Sequence, residues 1–234
     1  MADEAKGNGT RAGAVYRSLR RAIIEQALRP GAKLPEDAIG ERLGVSRTLA
    51  REALVRLAGE GLVELRPNRG AFVAYPTLEE GRDVFMVRNG LERLVIQALV
   101  GRLAPDQVTR LKAHVAAEEK AAAKGSERES IRLAGEFHAL LAEMTGNGLL
   151  IRYVNETVSR CSLILALYGR PHSSECAVSE HREVIQALVA GDERRALDLM
   201  DHHLGAVMNR ALLGRPAEPD LRDVLAAYRR EEGL

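Results

Sequence analysis

Residues 44–57 read GVSRTLAREALVRL and decide the fold of the N-terminal third of the chain. Gly44 and Val45 predict a tight bend. Ser46 is a favourable N-cap, because its hydroxyl can accept a hydrogen bond from an unpaired amide of the first helical turn. The apolar residues that follow recur at helical spacing and predict one buried stripe of Leu49, Ala53, Leu54 and Leu57.

Three polar residues lie near the start of this helix, on the side away from the stripe: Arg47, Thr48 and Arg51. A short helix with an apolar back and exposed arginines at its N-terminal end suits the major groove of DNA. A solvated surface helix has the same pattern, so the neighbouring elements must decide between the two interpretations.

Those neighbours predict a winged helix-turn-helix, which consists of three helices and a small β-hairpin. The other two helices are predicted over residues 14–28 and 36–43, and the two β-prone runs over 62–65 and 71–74. Pro30-Gly31 ends the first helix, and the run Arg66-Pro67-Asn68-Arg69-Gly70 supplies the turn of the hairpin. Because all five elements occur in order, the recognition-helix interpretation of residues 44–57 is favoured.

After residue 77 the sequence predicts long helices separated by glycine breaks, which is typical of an antiparallel α-helical bundle of six or seven helices. Thr77 and Glu80 form a capping box at its start. The fold class is therefore mainly α. The predicted divisions are a disordered lead-in over 1–12, the winged helix-turn-helix over 13–76, the bundle over 77–214, and a linker with a short helix over 215–234.

Composition favours a reduced, cytoplasmic protein that does not enter the membrane. The two cysteines, Cys161 and Cys176, have no paired spacing, and no apolar run approaches the roughly 20 residues that cross a bilayer. The net charge is only +1, but residues 1–75 contain 13 Lys/Arg against 9 Asp/Glu, whereas the remainder contains 21 against 24. A modest N-terminal surplus fits sequence-specific DNA recognition better than bulk phosphate binding.

The stretch over residues 30–73 resembles the DNA-binding domain of the GntR family of bacterial transcription regulators. The matching residues are Pro30-Gly31, Leu34, Glu36, Gly44-Val45-Ser46-Arg47, Arg51-Glu52-Ala53-Leu54, Leu57, Gly61-Leu62 and Gly70. The resemblance implies that Arg47 and Arg51 contact guanines or phosphates of double-stranded operator DNA. It also implies that Ser46 and Thr48 contact the backbone, and that Arg69 and Gly70 approach the minor groove. Leu49-Ala50 and Asp37 depart from the pattern common in the family, so the operator sequence does not follow from it.

The bundle resembles the all-helical FCD domain of the FadR-like branch of that family. The points of contact are Arg88, Leu91-Glu92, Phe137-His138, Gly146-Asn147, Glu180-His181-Arg182, Gly191-Asp192 and His203-Leu204. The resemblance implies a homodimeric regulator, commonly a repressor. Its operator affinity would be controlled by a small, carboxylated metabolite bound in the bundle.

Three histidines on separate predicted helices, His138, His181 and His203, are candidate metal ligands. Lone histidines are more often core or surface residues, and spacing alone does not show that they converge. The resemblance implies a divalent metal, zinc being the expected one, held by three histidines and an aspartate one turn before the first. That aspartate position is Ala134 here, so water or an effector carboxylate would fill the open positions, and Glu136 points elsewhere on the helix.

Arg88 has two interpretations. It is one helical turn from Glu92, which predicts an intrahelical ion pair. By analogy with the family, its guanidinium would instead bind an anionic effector, because its geometry matches a carboxylate.

Two other functions compete with an effector-controlled regulator. A three-histidine metal could activate water in a hydrolase, but no Asp or Glu stands at motif spacing as a general base, so the protein is predicted not to be an enzyme. An architectural DNA-binding protein without an effector would leave the large bundle unexplained.

Overall fold

The computed structural model describes residues 2–168 and 174–212. The chain forms α1 (Ala2–Ile24), β1 (Lys33–Leu34), α2 (Glu36–Leu43), α3 (Arg47–Gly59), β2 (Val63–Arg66), β3 (Gly70–Val73), α4 (Leu78–Leu99), α5 (Pro105–Ala123), α6 (Glu127–Met144), α7 (Gly148–Tyr168), α8 (Ser174–Ala190) and α9 (Glu193–Leu212). We call α1 to β3 the winged-helix unit and α4 to α9 the bundle. This architecture confirms the predicted fold class.

The winged-helix unit contains one strand more than the sequence predicted. Its antiparallel sheet has the order β1-β3-β2, with Leu65 opposite Ala71 and Lys33 opposite Phe72. β1 is only two residues long, too short for an alternating pattern to reveal it. Pairing with β1 covers the second edge of β3 and fixes the hairpin to the helices.

The bend between α2 and α3 depends on two glycines. Gly44 adopts a left-handed conformation at φ 62°, and the amide of Val45 donates to the carbonyl of Gly40 at 2.9 Å. A Cβ on Gly40 would lie 2.8 Å from the Val45 carbonyl oxygen, so only glycine allows this approach. The predicted helix-turn-helix is therefore present.

Helix α1 differs from its prediction at both ends. It begins at Ala2, within the region predicted as a disordered lead-in over residues 1–12, and it ends at Ile24 instead of Leu28. The early end coincides with Gln26, which takes a left-handed φ of 58°, and with a hydrogen bond from the Leu28 amide to the Ala22 carbonyl at 2.9 Å. A helix cannot continue through a left-handed residue.

The bundle contains six helices within the described residues. Helix α4 packs on α7 and α9, α5 on α6 and α8, and α6 on α7. The predicted capping box of Thr77 and Glu80 is confirmed, with both hydrogen bonds formed, at 2.7 and 3.2 Å. The linker and short helix predicted over 215–234 lie outside the described residues.

Helix α7 belongs to both units. Leu163 is 1% exposed and packs in the core of the winged-helix unit, and Arg20 of α1 donates to Ser159 at 2.8 Å. Gly61 approaches the Arg160 guanidinium so closely that a Cβ there would lie 2.4 Å from its Cζ. The two units thus share a packed interface along α7.

The part of the chain that the structure describes contains no helix long and apolar enough to span a membrane.

Candidate metal centre and DNA-contacting surface

The three predicted histidine ligands converge in the bundle. His138 lies on α6, His181 on α8 and His203 on α9, each at most 3% exposed. Nε2 of His203 lies 3.2 Å from Nε2 of His138 and 3.4 Å from Nε2 of His181, and one donor atom from each ring lies within 4.8 Å of the others. The packing of three helices therefore makes the cluster that sequence spacing alone could not show.

A carboxylate lies behind each ring. Nδ1 of His181 is 2.9 Å from Glu118 Oε2, and Nδ1 of His203 is 2.6 Å from Glu180 Oε2. Nδ1 of His138 is 2.9 Å from Glu92 Oε1, although outside hydrogen-bond geometry. A proton on Nδ1 directed to a carboxylate leaves the Nε2 lone pair free and fixes the ring, as in most histidine metal sites.

The imidazoles are neutral near pH 7. Burial lowers the pKa of His181 to about 3. Burial also lowers the pKa of His203 to about 4, although the hydrogen bond to Glu180 opposes this shift. Burial and then the charge of Arg88 lower the pKa of His138 well below its ordinary value of 6.5. Metal ligation requires the neutral form, so the site is prepared to bind a cation without first losing protons.

The two nitrogen separations measured from His203 fit zinc. Zinc–imidazole bonds of about 2.0–2.1 Å in a tetrahedral arrangement place two nitrogens about 3.3 Å apart, and the observed separations from His203 are 3.2 and 3.4 Å. The three lone pairs would otherwise face one another in a buried space. The residues present therefore fit a divalent metal with three protein ligands and at least one open position.

The open side of the cluster faces a cavity. His138, His203, Ala134 and Arg88 all line a cavity of about 270 Å³. Ala134, the position at which the family has its aspartate, contributes only a methyl group to this wall. Glu136 is turned away and pairs with Arg132 at 2.6 Å, as predicted from its position on the helix.

The ion pair predicted between Arg88 and Glu92 is formed, and effector binding by Arg88 stays a prediction. Arg88 is 4% exposed, its Nε lies 3.2 Å from Glu92 Oε1, and it lines the cavity. The ion pair with Glu92 places the guanidinium in the wall, beside His138. A buried cation next to a three-histidine site can bind an anion through charge-assisted hydrogen bonds.

The second candidate surface is the N-terminal end of α3. Ser46 caps the helix by accepting from the Leu49 amide at 3.3 Å, and the predicted apolar stripe is buried. Arg47 and Arg51 have side chains that are 62% and 61% exposed. The exposed arginines and the buried stripe therefore have the placement expected of a recognition helix.

The two arginines are not free, however, as the sequence suggested. Arg51 donates to Glu36 at 2.8 and 3.0 Å, and Arg47 donates to the same carboxylate at 2.8 Å. The hydrogen bonds from Arg51 and then Arg47 lower the pKa of Glu36 to about 2. The α2–α3 bend brings Glu36 under both guanidinium groups, which residue spacing does not reveal.

The remaining predicted DNA-contacting residues are exposed on the same unit. Thr48 follows Arg47 on α3, and Arg69 and Gly70 lie at the tip of the β2–β3 hairpin. The turn is formed by a left-handed Asn68 at φ 57° and a hydrogen bond from the Arg69 amide to the Arg66 carbonyl at 3.0 Å. All six predicted residues are thus accessible to a ligand.

Sequence reasoning missed the carboxylates that orient the functional residues. Glu92 and Glu180 are among the residues that carry the family resemblance, but the sequence predicts no role for Glu180 and only the ion pair with Arg88 for Glu92. Glu118 gave no signal, because a glutamate on an amphipathic helix is normally solvated; here it is 1% exposed.

Comparisons with known proteins agree with this architecture. The family described as bacterial regulatory proteins, gntR family, matches residues 11–73, and the FCD domain family matches residues 83–206. A relative in Streptomyces ambofaciens, an uncharacterised HTH-type transcriptional regulator in an unstable DNA locus, is 30% identical over 209 residues, covering 88% of this chain and 87% of that protein. The HTH-type transcriptional repressor RspR of Escherichia coli (strain K12) is 27% identical over 193 residues, covering 81% of this chain and 84% of its own length.

Among solved structures, a putative transcriptional regulator GntR from Rhodococcus sp. RHA1 has the same fold. It superposes with a TM-score of 0.76 at 24% sequence identity, covering 88% of this chain and 100% of that one.

Proposed function

Because the chain belongs to the gntR family of bacterial regulatory proteins and carries an FCD domain, we propose that it is a homodimeric repressor controlled by a small organic acid. The chain is a transcription regulator and not an enzyme. We further propose that the acid binds in the bundle, through a divalent metal, and changes the affinity for operator DNA. The repressor role is supported by the similarity to RspR, whose name describes a repressor.

One observation carries the effector proposal. The three histidines form one buried cluster, and two of them, His138 and His203, line the same cavity as the buried Arg88. At that wall Ala134 leaves a coordination position without a protein ligand. Zinc held by His138, His181 and His203 would supply a Lewis acid for a carboxylate oxygen. Arg88 would neutralise the remaining charge of the acid.

The DNA-binding part of the proposal uses the exposed residues of the winged-helix unit. Arg47 and Arg51 would exchange their hydrogen bonds with Glu36 for guanine edges or phosphates, and Ser46 and Thr48 would contact the backbone. Arg69 and Gly70 would place the hairpin tip against the minor groove. One such unit covers one half-site, so a dimer would recognise a pseudo-palindrome.

A dimer interface is supported by an apolar stripe on α4. Met86 is 70% exposed and Leu94 is 54% exposed. Gly90 lies between them at helical spacing, and a Cβ added there would have no atom within 4 Å. An exposed glycine inside a helix is unfavourable by itself, but it allows the backbone of a second copy to approach closely. Methionine and leucine beside it would supply the apolar contact of two such helices.

The experiment that tests the function uses untagged, zinc-loaded protein. A pool of random DNA duplexes would first be enriched for bound sequences, which yields an operator fragment. Thermal shift would then be measured with acetate, succinate, citrate and gluconate, and operator binding would be measured with and without each acid. We expect an enriched palindrome and at least one acid that raises the Tm and weakens operator binding. Failure to enrich any DNA sequence would contradict sequence-specific operator binding. Failure of every acid to change the Tm or operator binding would contradict the effector assignment.

A further inference from the structure

The winged-helix unit contributes a side chain to the cavity of the bundle. Gln26, in the turn that follows α1, lines the same cavity as Arg88, His138 and His203. The cavity wall also includes Glu127 and Arg210. The proposed effector site is therefore not enclosed by the bundle alone.

The backbone at Gln26 is unusual for this residue type. Its φ of 58° lies in the left-handed region, which is unfavourable for residues with a Cβ and is normally occupied by glycine at the end of a helix. The amide of Gln26 donates to the Ile23 carbonyl at 3.0 Å, which holds the turn. Strained non-glycine residues concentrate at functional sites, so the side chain is the feature to explain.

The neighbouring residue fixes this turn to the cavity wall. Glu25 accepts from Arg132 of α6 at 3.0 Å, and Arg132 also pairs with Glu136 at 2.6 Å. Helix α6 carries Ala134 and His138, which line the cavity. The position of Gln26 is therefore set by the helix that holds the first metal ligand.

We propose that Gln26 is an effector-contacting residue supplied by the winged-helix unit. Its side-chain amide hydrogen-bonds a second polar group, a hydroxyl or a further carboxylate, of an acid whose first carboxylate lies at the metal and Arg88. This inference rests on the proposed function, because it presupposes an acid in the cavity. It identifies the acid class as one with at least two polar groups, which binds more tightly than a simple monocarboxylate such as acetate because acetate makes no contact with Gln26.

The contact would connect the effector directly to the DNA-reading helix. Gln26 follows α1, and α1 packs on α3 through the shared core of the winged-helix unit. An acid that bonds Gln26 stabilises one placement of α1 against α6. By reciprocity, the factor by which the acid changes operator affinity equals the factor by which the operator changes acid affinity.

The test compares Gln26→Gly with Ala27→Gly. Glycine at 26 suits the left-handed backbone and removes only the side chain, and Ala27 is an exposed neighbour in the same turn. The dissociation constants of acetate, succinate, citrate and gluconate would be measured by calorimetry on zinc-loaded protein, together with operator affinity. Gln26→Asn, which keeps an amide and tolerates the left-handed region, serves as the conservative variant.

We expect Gln26→Gly to fold normally and to bind the multifunctional acids about fivefold more weakly, the effect of one hydrogen bond. The affinity for acetate should be the same in Gln26→Gly and wild type, and Ala27→Gly should bind every acid as wild type does. Gln26→Asn should recover part of the affinity for the multifunctional acids. In Gln26→Gly the acid should change operator affinity less than in wild type. Equal acid affinities in wild type and Gln26→Gly, or binding of acetate alone, would overturn the inference while leaving the proposed function intact. If none of the four acids raises the Tm of the wild type, the proposed function itself is contradicted.

A second readout uses the absence of tryptophan from the sequence. Gln26→Trp introduces one indole into the cavity wall, and Ala27→Trp places it on the exposed side of the same turn. The acid that binds most tightly to the wild type should change the emission of Trp at 26 and not at 27. Identical responses at both positions would show that position 26 is not part of the occupied cavity.

Discussion

Arg51 donates two hydrogen bonds to Glu36, at 2.8 and 3.0 Å, across the bend between the two helices of the helix-turn-helix. Arg47 donates to the same carboxylate at 2.8 Å. One glutamate therefore orients both arginines that are proposed to read DNA, and it offsets part of their charge.

Glu36→Gln should loosen the sequence discrimination of the protein. Without the carboxylate, the two guanidinium groups lose a fixed orientation but gain net positive charge near the phosphates. We expect tighter binding to random duplex, a steeper salt dependence, and a smaller ratio of operator to random-DNA affinity. Fluorescence anisotropy at several salt concentrations would measure all three, and an unchanged affinity ratio would contradict the orienting role.

Arg51→Ala should weaken operator binding by about 1–3 kcal/mol, the range for loss of a specific arginine contact to a base. Arg110→Ala is the matched control, since Arg110 is similarly exposed at 59% but lies on α5 of the bundle. Binding assays on the enriched operator would compare the loss of affinity in Arg51→Ala with that in Arg110→Ala. An equal small loss in both variants would mean that Arg51 acts only through overall charge.

The metal-free protein should lose stability in mild acid. The unfolded histidines have a pKa near 6.5, whereas burial lowers that of His181 to about 3 and that of His203 to about 4. Because the folded pKa is the lower one, the unfolded state binds more protons below pH 6.5, and stability falls as the pH drops from 6.5 toward 4. The expected loss is on the order of 1 kcal/mol per histidine at pH 5.5.

Urea unfolding at pH 7.0 and 5.5 in the presence of a chelator measures this loss. Burial raises the pKa of Glu92, which acts in the opposite direction and makes a comparison of variants necessary. His203→Asn should show a smaller pH dependence than wild type, whereas the exposed His202→Asn should match wild type. Equal pH dependence in all three proteins would mean that the buried imidazoles do not control acid stability.

Ala134→Asp should supply the missing fourth ligand. Residue 134 is one helical turn before His138 and lines the cavity, so a carboxylate there would reach the open coordination position. We expect at least tenfold tighter zinc binding and weaker binding of the acid, since the two carboxylates compete. Competition with a zinc chelator measures the first effect, and Ala134→Asn, which has similar size without the charge, is the control. Unchanged zinc affinity would place the metal elsewhere.

The sequence predicted the winged-helix unit well because its signals are local. The Ser46 cap, the stripe through Leu54 and Leu57, and the glycine turns each depend on residues within a few positions of one another. β1 was missed because two residues carry no pattern, and the end of α1 was missed because Gln26 is not a typical left-handed residue.

The candidate site depended on contacts that span the chain. His138 and His203 are 65 residues apart, and His181 and Glu118 are 63 apart. Residue type and placement on separate helices made the three histidines candidate ligands, the family resemblance strengthened that prediction, and helix packing brings the three side chains together. No local pattern distinguishes the buried Glu118 from a solvated glutamate, and none places Gln26 opposite the bundle. The contacts that form the candidate site therefore depend on long-range packing, which local sequence patterns do not show.

The operator dissociation constant of zinc-loaded protein, measured with and without the best-binding acid in wild type and in His203→Ala, tests most directly whether the cavity controls DNA binding. We expect the acid to change the wild-type constant about tenfold, which corresponds to a coupling free energy of about 1.4 kcal/mol. The variant should bind operator but should not respond to the acid. An equal response of both proteins would contradict the claim that the three-histidine cavity controls DNA binding.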